Sequence, residues 1–195
     1  SKNPVIYIDD RWLYDQEDNL PKAKEINLES INPCILREGD SITLVGCSYS
    51  TFLLKKVSKK LIKNNIYPEI IDMRIINPFQ SELITNSVKK TGRLLTVDTG
   101  HKTHGIGGEI IAQVMEKAAS DMKSPPSRIA LPDHPVPSSR GFIPGLYPDS
   151  KKIVSEVCAM VGANSDTTSQ AMETLSANIG NLPVDVPDPT FTGPF

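Results

Sequence analysis

Two histidines, His101 and His104, stand between Asp98 and a cluster of glycines at Gly105, Gly107 and Gly108. Imidazoles beside a carboxylate are the residue types that hold metals or move protons. Three such residues on one flexible loop have no fixed ligand geometry, and no second cluster supports them, so no metal site is assigned. Unpaired N–H groups where a helix begins favour negative charge, so Gly105-Ile106-Gly107-Gly108 could hold an anion. The pattern is not GxGxxG, it lacks the lysine of a phosphate loop, and Glu109 would oppose an anion from the first helical turn. Glycines that permit a tight turn and close packing are the simpler explanation. The loop of Gly100, His101, His104, Gly105, Gly107 and Gly108 is therefore a candidate anion-binding loop, with a tight structural turn as the favoured alternative.

His134, within Asp133-His134-Pro135, reads as a loop residue near an interface. No Ser-His-Asp or Cys-His arrangement follows from the spacing, and no catalytic residue is assigned. Lys55, Lys56, Lys59, Lys60 and Lys63 form a basic stripe at helical spacing. A stripe like this is a solvated face or a docking patch for an acidic partner.

The elements that must position these residues alternate. Leu94, Leu95 and Val97 make a buried strand that Asp98-Thr99-Gly100 is expected to break. Ile106, Ile110, Ile111, Val114, Met115, Ala118, Ala119 and Met122 then recur on one helical face. Ahead of this unit, Ser41–Gly46 and Glu69–Met73 read as strands. Ser50 or Thr51 is expected to cap a helix to about Asn64, and Ser81–Lys90 to form a shorter one. Arg128–Leu131 reads as a fourth strand. A proline-rich segment follows from Pro132 to Pro148, then a helix capped by Asp149 or Ser150, with Ile153, Val154, Val157, Cys158 and Val161 facing inward. The alternation predicts a three-layer α/β/α domain with a mostly parallel sheet.

The 195 residues fit one domain with extensions, and a hydrophobic content of 38% is low enough that part of the chain lies outside a core. A net charge of -2 gives no basic field for nucleic acid. No apolar run approaches the ~20 residues that span a bilayer, so no membrane partner is expected. Cys34, Cys47 and Cys158 are odd in number and lack metal-type spacing, which reads as reduced thiols in an intracellular protein. Residues 1–35 are expected to be the end of a preceding domain and a linker. Within them Asn3–Asp9 is a possible strand, and residues 22–35 an arm running into a turn at Arg37-Glu38-Gly39-Asp40. Residues 36–161 are the compact domain. Residues 162–195 form a polar tail, with a weak helix near Ala171–Ile179 and an extended Pro-Val-Asp-Val-Pro-Asp-Pro segment, disordered or laid over another surface.

Six segments in order resemble one family: NPVIYIDDRWLY, LREGDSITLVGCS, EIIDMRIINPF, SVKKTGRLLTVDTG, GIGGEI and PDHPVPSS. They are similar to segments of the beta subunits of thiamine-diphosphate-dependent 2-oxo acid dehydrogenases, pyruvate and branched-chain, and more distantly to the C-terminal domain of transketolase. The resemblance covers residues 3–161. It implies a transketolase C-terminal-like fold for residues 36–161, and it implies that NPVIYID is the terminal strand of a pyrimidine-binding domain. It further implies a homo-oligomer that assembles with an alpha-type subunit and a lipoyl acyltransferase core, in the cytoplasm or the mitochondrial matrix. Thiamine diphosphate and Mg would belong to the full assembly, with none bound by this fragment and no activity in isolation. The glycine loop would face the assembled interface, and Asp133 and His134 would serve docking. Some family members carry a carboxylate that assists core docking just before the proline segment preceding Arg128. Here Lys123 stands near that place, with Asp121 two residues earlier, and that reversal of charge would weaken docking to a basic acyltransferase surface. The rival expectation is a free-standing anion- or partner-binding α/β module.

Overall fold

The computed structural model describes residues 3–17, 19 and 31–176. Its centre is a five-stranded sheet in the order β1-β3-β2-β4-β5. The strands are β1 (Cys34–Arg37), β2 (Ile42–Gly46), β3 (Pro68–Asp72), β4 (Leu94–His101) and β5 (Ser127–Leu131). Only β1 runs antiparallel, pairing Cys34 with Asp72 at the edge of β3. The helices are α1 (Tyr49–Lys63), α2 (Glu82–Thr91), α3 (Ile106–Ala118), α4 (Ser150–Val161) and α5 (Ser165–Ser176). The three-layer, mostly parallel α/β/α arrangement expected from the sequence is the one observed.

Side-chain alternation along the strands makes two cores. Ile42, Leu44, Ile70, Leu95 and Val97 pack with α1 and α4 on one face. Val45, Ile71 and Leu94 pack with α2 and α3 on the other. Beneath α2 the second face is polar: buried Thr43 Oγ1 lies 2.7 Å from Ser87 Oγ and 2.8 Å from Thr91 Oγ1. Buried Glu69 of β3 accepts from Lys90 Nζ of α2 and from Gly39 N at 3.3 Å. Burial pushes the Glu69 carboxyl up, but the bonds from Lys90, Ser87 and Gly39 outweigh it and hold its pKa below the ordinary value.

Several boundaries differ from the sequence reading. Asn3–Asp9 is not a strand. Val5, Ile6, Tyr7 and Ile8 are 73%, 88%, 85% and 87% exposed, and no strand among the described residues pairs with them. Instead the next turn, Arg11–Leu13, docks: the Trp12 ring meets Tyr49 edge-on at 5.0 Å and Tyr147 at 5.5 Å. The arm expected over residues 22–35 includes the start of β1, and its residues 22–30 lie outside the described set. Strand β4 continues through Asp98-Thr99-Gly100 rather than breaking, since its end stays paired to β5 through a register shift that brings His101 opposite Leu131. Neither Ser50 nor Thr51 caps α1. Ser48 takes the cap position at φ 54°, while Ser50 Oγ closes a turn on Cys47, accepting from its N at 2.8 Å and donating to its O at 2.7 Å. Asp149 does cap α4, accepting from Lys152 N at 2.7 Å. The tail helix starts earlier than expected, at Ser165, with Ala171 buried in the α1–α4 core. Residues 177–195, with the expected extended segment, lie outside the described set.

The Glu69–Lys90 pair makes a stability prediction. Glu69 has a folded pKa below its unfolded one, so its contribution is present at neutral pH and is lost as pH falls through the depressed value. Lys90→Met leaves the carboxylate buried without its cation and should lower unfolding free energy at pH 7 by ~1–3 kcal/mol. Urea unfolding should show the gap from wild type narrowing on acidification; a gap independent of pH would contradict this role.

Candidate functional site

The carboxyl ends of the parallel strands carry the loops on which this fold builds sites. β2 and β4 are neighbours whose onward connections lead to opposite sides of the sheet, to β3 and to β5. A crevice forms where such connections diverge. Cys47 ends β2 there; burial pushes its thiol up, and the carboxylates of Asp72 and Asp98 push it further. That is the wrong direction for a thiolate nucleophile.

The glycine loop owes its shape to one close approach. Gly107, in the first turn of α3, sits so near β4 that a Cβ there would lie 2.5 Å from Thr96 Oγ1. Gly105 sits in extended backbone just before the helix, and a Cβ on it would overlap the His101 carbonyl. Gly108 has more room, with Arg128 Nη1 at 3.2 Å from a Cβ position. Gly105 and Gly107 therefore serve close packing, while Gly108 does not require it. Glu109 occupies the first turn, as expected.

Beyond Gly100 the chain turns back at Lys102–His104, with His104 at φ 60°, and is tied to the segment after β5. Thr103 N donates to Asp133 Oδ1 at 3.0 Å, and Thr103 Oγ1 donates to Asp133 Oδ2. His101 Nδ1 lies 2.9 Å from Pro132 O, Lys102 N donates to Leu131 O at 2.8 Å, and Arg128 Nη1 donates to Lys102 O at 3.0 Å. The hydroxyl and N–H of Thr103 hold Asp133 below its ordinary pKa, with His101 and His104 adding a smaller electrostatic pull. His101, His104, Asp133 and His134 are all exposed.

Thus Gly100, His101, His104, Gly105, Gly107, Gly108, Asp133 and His134 come together at one edge of the sheet. Asp121 and Lys123 do not join them. They follow α3 at the opposite, amino edge, where Lys123 N donates to Gly92 O at 2.7 Å and Lys123 Nζ to Thr91 O at 3.3 Å, closing the end of α2. The basic stripe lies on α1, with Lys55, Lys59 and Lys63 exposed. Among the described residues no three His, Cys, Asp or Glu side chains converge to hold a metal ion. Sequence reasoning missed Thr103 and Arg128, whose bonds cross roughly thirty residues of chain and leave no local pattern. It also missed Trp12 as an anchor, although a single tryptophan in an acidic turn was a visible signal.

Fold and site together define an α/β domain that carries a polar loop surface on the carboxyl edge of its sheet. The chain belongs to the transketolase C-terminal domain family: the family model "Transketolase, C-terminal domain" matches residues 34–153. It is 37% identical over 157 residues to the mitochondrial pyruvate dehydrogenase E1 component subunit beta of Dictyostelium discoideum, covering 78% of this chain and 44% of that protein. To the pyruvate dehydrogenase E1 component subunit beta of Rhizobium meliloti it is 34% identical, covering 81% and 34%. To the mitochondrial 2-oxoisovalerate dehydrogenase subunit beta 2 of Arabidopsis thaliana it is 30% identical, covering 82% and 44%. The chain thus spans less than half the length of these relatives. A solved structure described as a split-gene transketolase, inactive beta4 tetramer, shares the fold at a TM-score of 0.55 and 19% identity, over 72% of this chain and 46% of that one.

The two glycines should separate in mutagenesis. Gly107→Ala should lose ~1–3 kcal/mol through overlap with Thr96, and Thr96→Ala in the same chain should recover part of that loss. Gly108→Ala should stay within ~0.5 kcal/mol of wild type, because the helix gains from losing a glycine while Arg128 shifts slightly. Equal losses at both positions in thermal unfolding would contradict the packing account.

Proposed function

We propose that this chain is the C-terminal assembly domain of a beta-type subunit of a 2-oxo acid dehydrogenase, with no catalytic residues of its own. Its task is to join subunits, so that a thiamine-diphosphate site completed elsewhere can decarboxylate a 2-oxo acid. The observation that carries this reading is the composition of the carboxyl edge. Exposed Ile76 and Val136, at 52% and 47%, follow the carboxyl ends of β3 and β5, on the same edge as the braced loop of His101, His104 and Asp133. Exposed apolar side chains beside a rigid polar rim are the makings of a protein interface.

Other features support the same reading. The relatives carry the names of E1 beta subunits, and the segments NPVIYIDDRWLY to PDHPVPSS fall in the family order. The apolar stretch Val5–Ile8 stands clear of this domain, while Trp12 fixes its direction. Those are the properties of a segment that completes a neighbouring pyrimidine-binding domain. The partners in this reading are a second copy, an alpha-type subunit and a lipoyl acyltransferase core, in the mitochondrial matrix or the bacterial cytoplasm. Thiamine diphosphate and Mg belong to the full assembly; the described residues lack a ligand cluster for the metal, and no chemical step is assigned to them.

Supplied with pyruvate, thiamine diphosphate and Mg, the isolated chain should show no decarboxylation. Light scattering at high concentration should show self-association, and Val136→Ser should shift the mass toward monomer without changing the melting temperature. Measurable turnover, or a monomeric mass at every concentration, would overturn the reading.

A further inference from the structure

The sheet has a second edge, and a cleft of about 420 Å³ opens there between the end of α1, the α4–α5 turn and the start of β4. Its lining includes Ser41, Asn64, Asn65, Arg93, Asn164 and Thr167. Arg93 is half-buried. Its Nε donates to Met160 O at 2.8 Å and its Nη1 to Ser41 O at 3.2 Å. Both acceptors are neutral carbonyls, and among the described residues no carboxylate forms an ion pair with this guanidinium. A guanidinium has five N–H donors, so these two bonds leave donors and the full charge available.

Arg93 is the single charged residue of the lining. Lys60 and Lys63 stand in the last turn of α1, beside Asn64. Two carboxylates adjoin the lining along the chain and keep their charge: Asp40, accepting from Ser41 Oγ at 3.1 Å, and Asp166, accepting from Ser165 Oγ at 3.4 Å. Part of the role of Arg93 is structural, since Met160 O belongs to the last turn of α4, where positive charge is favoured. That bond holds α4 in place and leaves the cleft open.

A planar guanidinium with spare donors is suited to a phosphate oxyanion. Asn64 Nδ2 donates to Lys60 O at 3.1 Å and Asn164 Oδ1 accepts from Thr167 N at 2.8 Å, which leaves Asn64 Oδ1 and Asn164 Nδ2 to meet hydroxyl groups. The volume falls within the ~300–1,000 Å³ of small-molecule pockets, larger than a single phosphate needs. We propose that this cleft binds a phosphorylated, hydroxyl-bearing small molecule, with its phosphate on Arg93 and its body against Asn64, Asn164 and Thr167. The site lies across the sheet from the glycine loop and is separate from the assembly surface. Because α5 forms one wall, an occupied cleft joins α5 to α1 and to the start of β4.

The test titrates the full chain with inorganic phosphate and with glycerol 3-phosphate at constant ionic strength. It follows the Arg93 Nε–H and the Asn64 and Asn164 side-chain amides by NMR. Saturable shifts are expected, with a dissociation constant on the order of 1 mM for phosphate and tighter binding for glycerol 3-phosphate. Arg93→Gln should abolish them but also loosens α4, so Thr167→Glu is the decisive variant. It places a carboxylate facing Arg93 in the first turn of α5, where negative charge is favoured, and keeps both carbonyl bonds of Arg93. Phosphate affinity falling at least tenfold in folded Thr167→Glu supports the site. Shifts that never saturate, or equal binding by Thr167→Glu, overturn it.

Discussion

The contact between Gly107 and Thr96 sets the geometry on which the carboxyl edge depends. α3 can lie this close to β4 because its first turn has no side chain at position 107. The close approach fixes where β4 must end and where the helix must begin, so the residues between them have one short route. That route places Thr103 opposite Asp133 and His101 beside Pro132, and the bonds between them lock two loops into one surface. A side chain at position 107 would tilt the helix and move the loop with it. The glycines at 105 and 107, read from sequence more as packing residues than as an anion cradle, let the loop take this route.

Rigidity elsewhere comes from unequal faces. The α1–α4 face is apolar and continuous, and α5 adds Ala171 to it. The α2–α3 face includes a buried hydroxyl cluster of Thr43, Ser87 and Thr91, next to the Glu69–Lys90 pair. Buried polar groups in register impose one placement of α2, because any slip would leave them without partners. Trp12 anchors the head of the chain through edge-on contacts with Tyr49 and Tyr147, a few residues after the exposed Val5–Ile8 stretch. The domain therefore presents a braced loop surface at one edge and an exposed apolar segment ahead of its Trp12 anchor.

Where the sequence was legible, burial made it so. β2 is buried at every position, and α3 buries Ile110, Val114 and Ala118 at helical spacing, so strand and helix could each be read from their periodicity. β1 was not readable: four half-buried or exposed residues at an antiparallel edge carry no alternation. The end of β4 was misread because Asp98, Thr99 and Gly100 are poor strand formers; pairing with β5 overrides their preference. Ser50 has the chemistry of a cap but uses it on the Cys47 backbone. For the candidate site, composition singled out the loop, and Asp133 and His134 were named beside it only as separate docking candidates. The Thr103–Asp133 bonds that unite them are tertiary, and nothing local announces them.

In the proposed assembly the loop of residues 98–105, braced against residues 132–135, meets another subunit. Hydrogen–deuterium exchange of the chain, alone and mixed with an alpha-type E1 subunit, measures this directly. The account predicts new protection at residues 98–105 and 132–135 together, with the α1 lysine face unchanged. Protection confined to α1, or none at either loop while a complex forms, would contradict it.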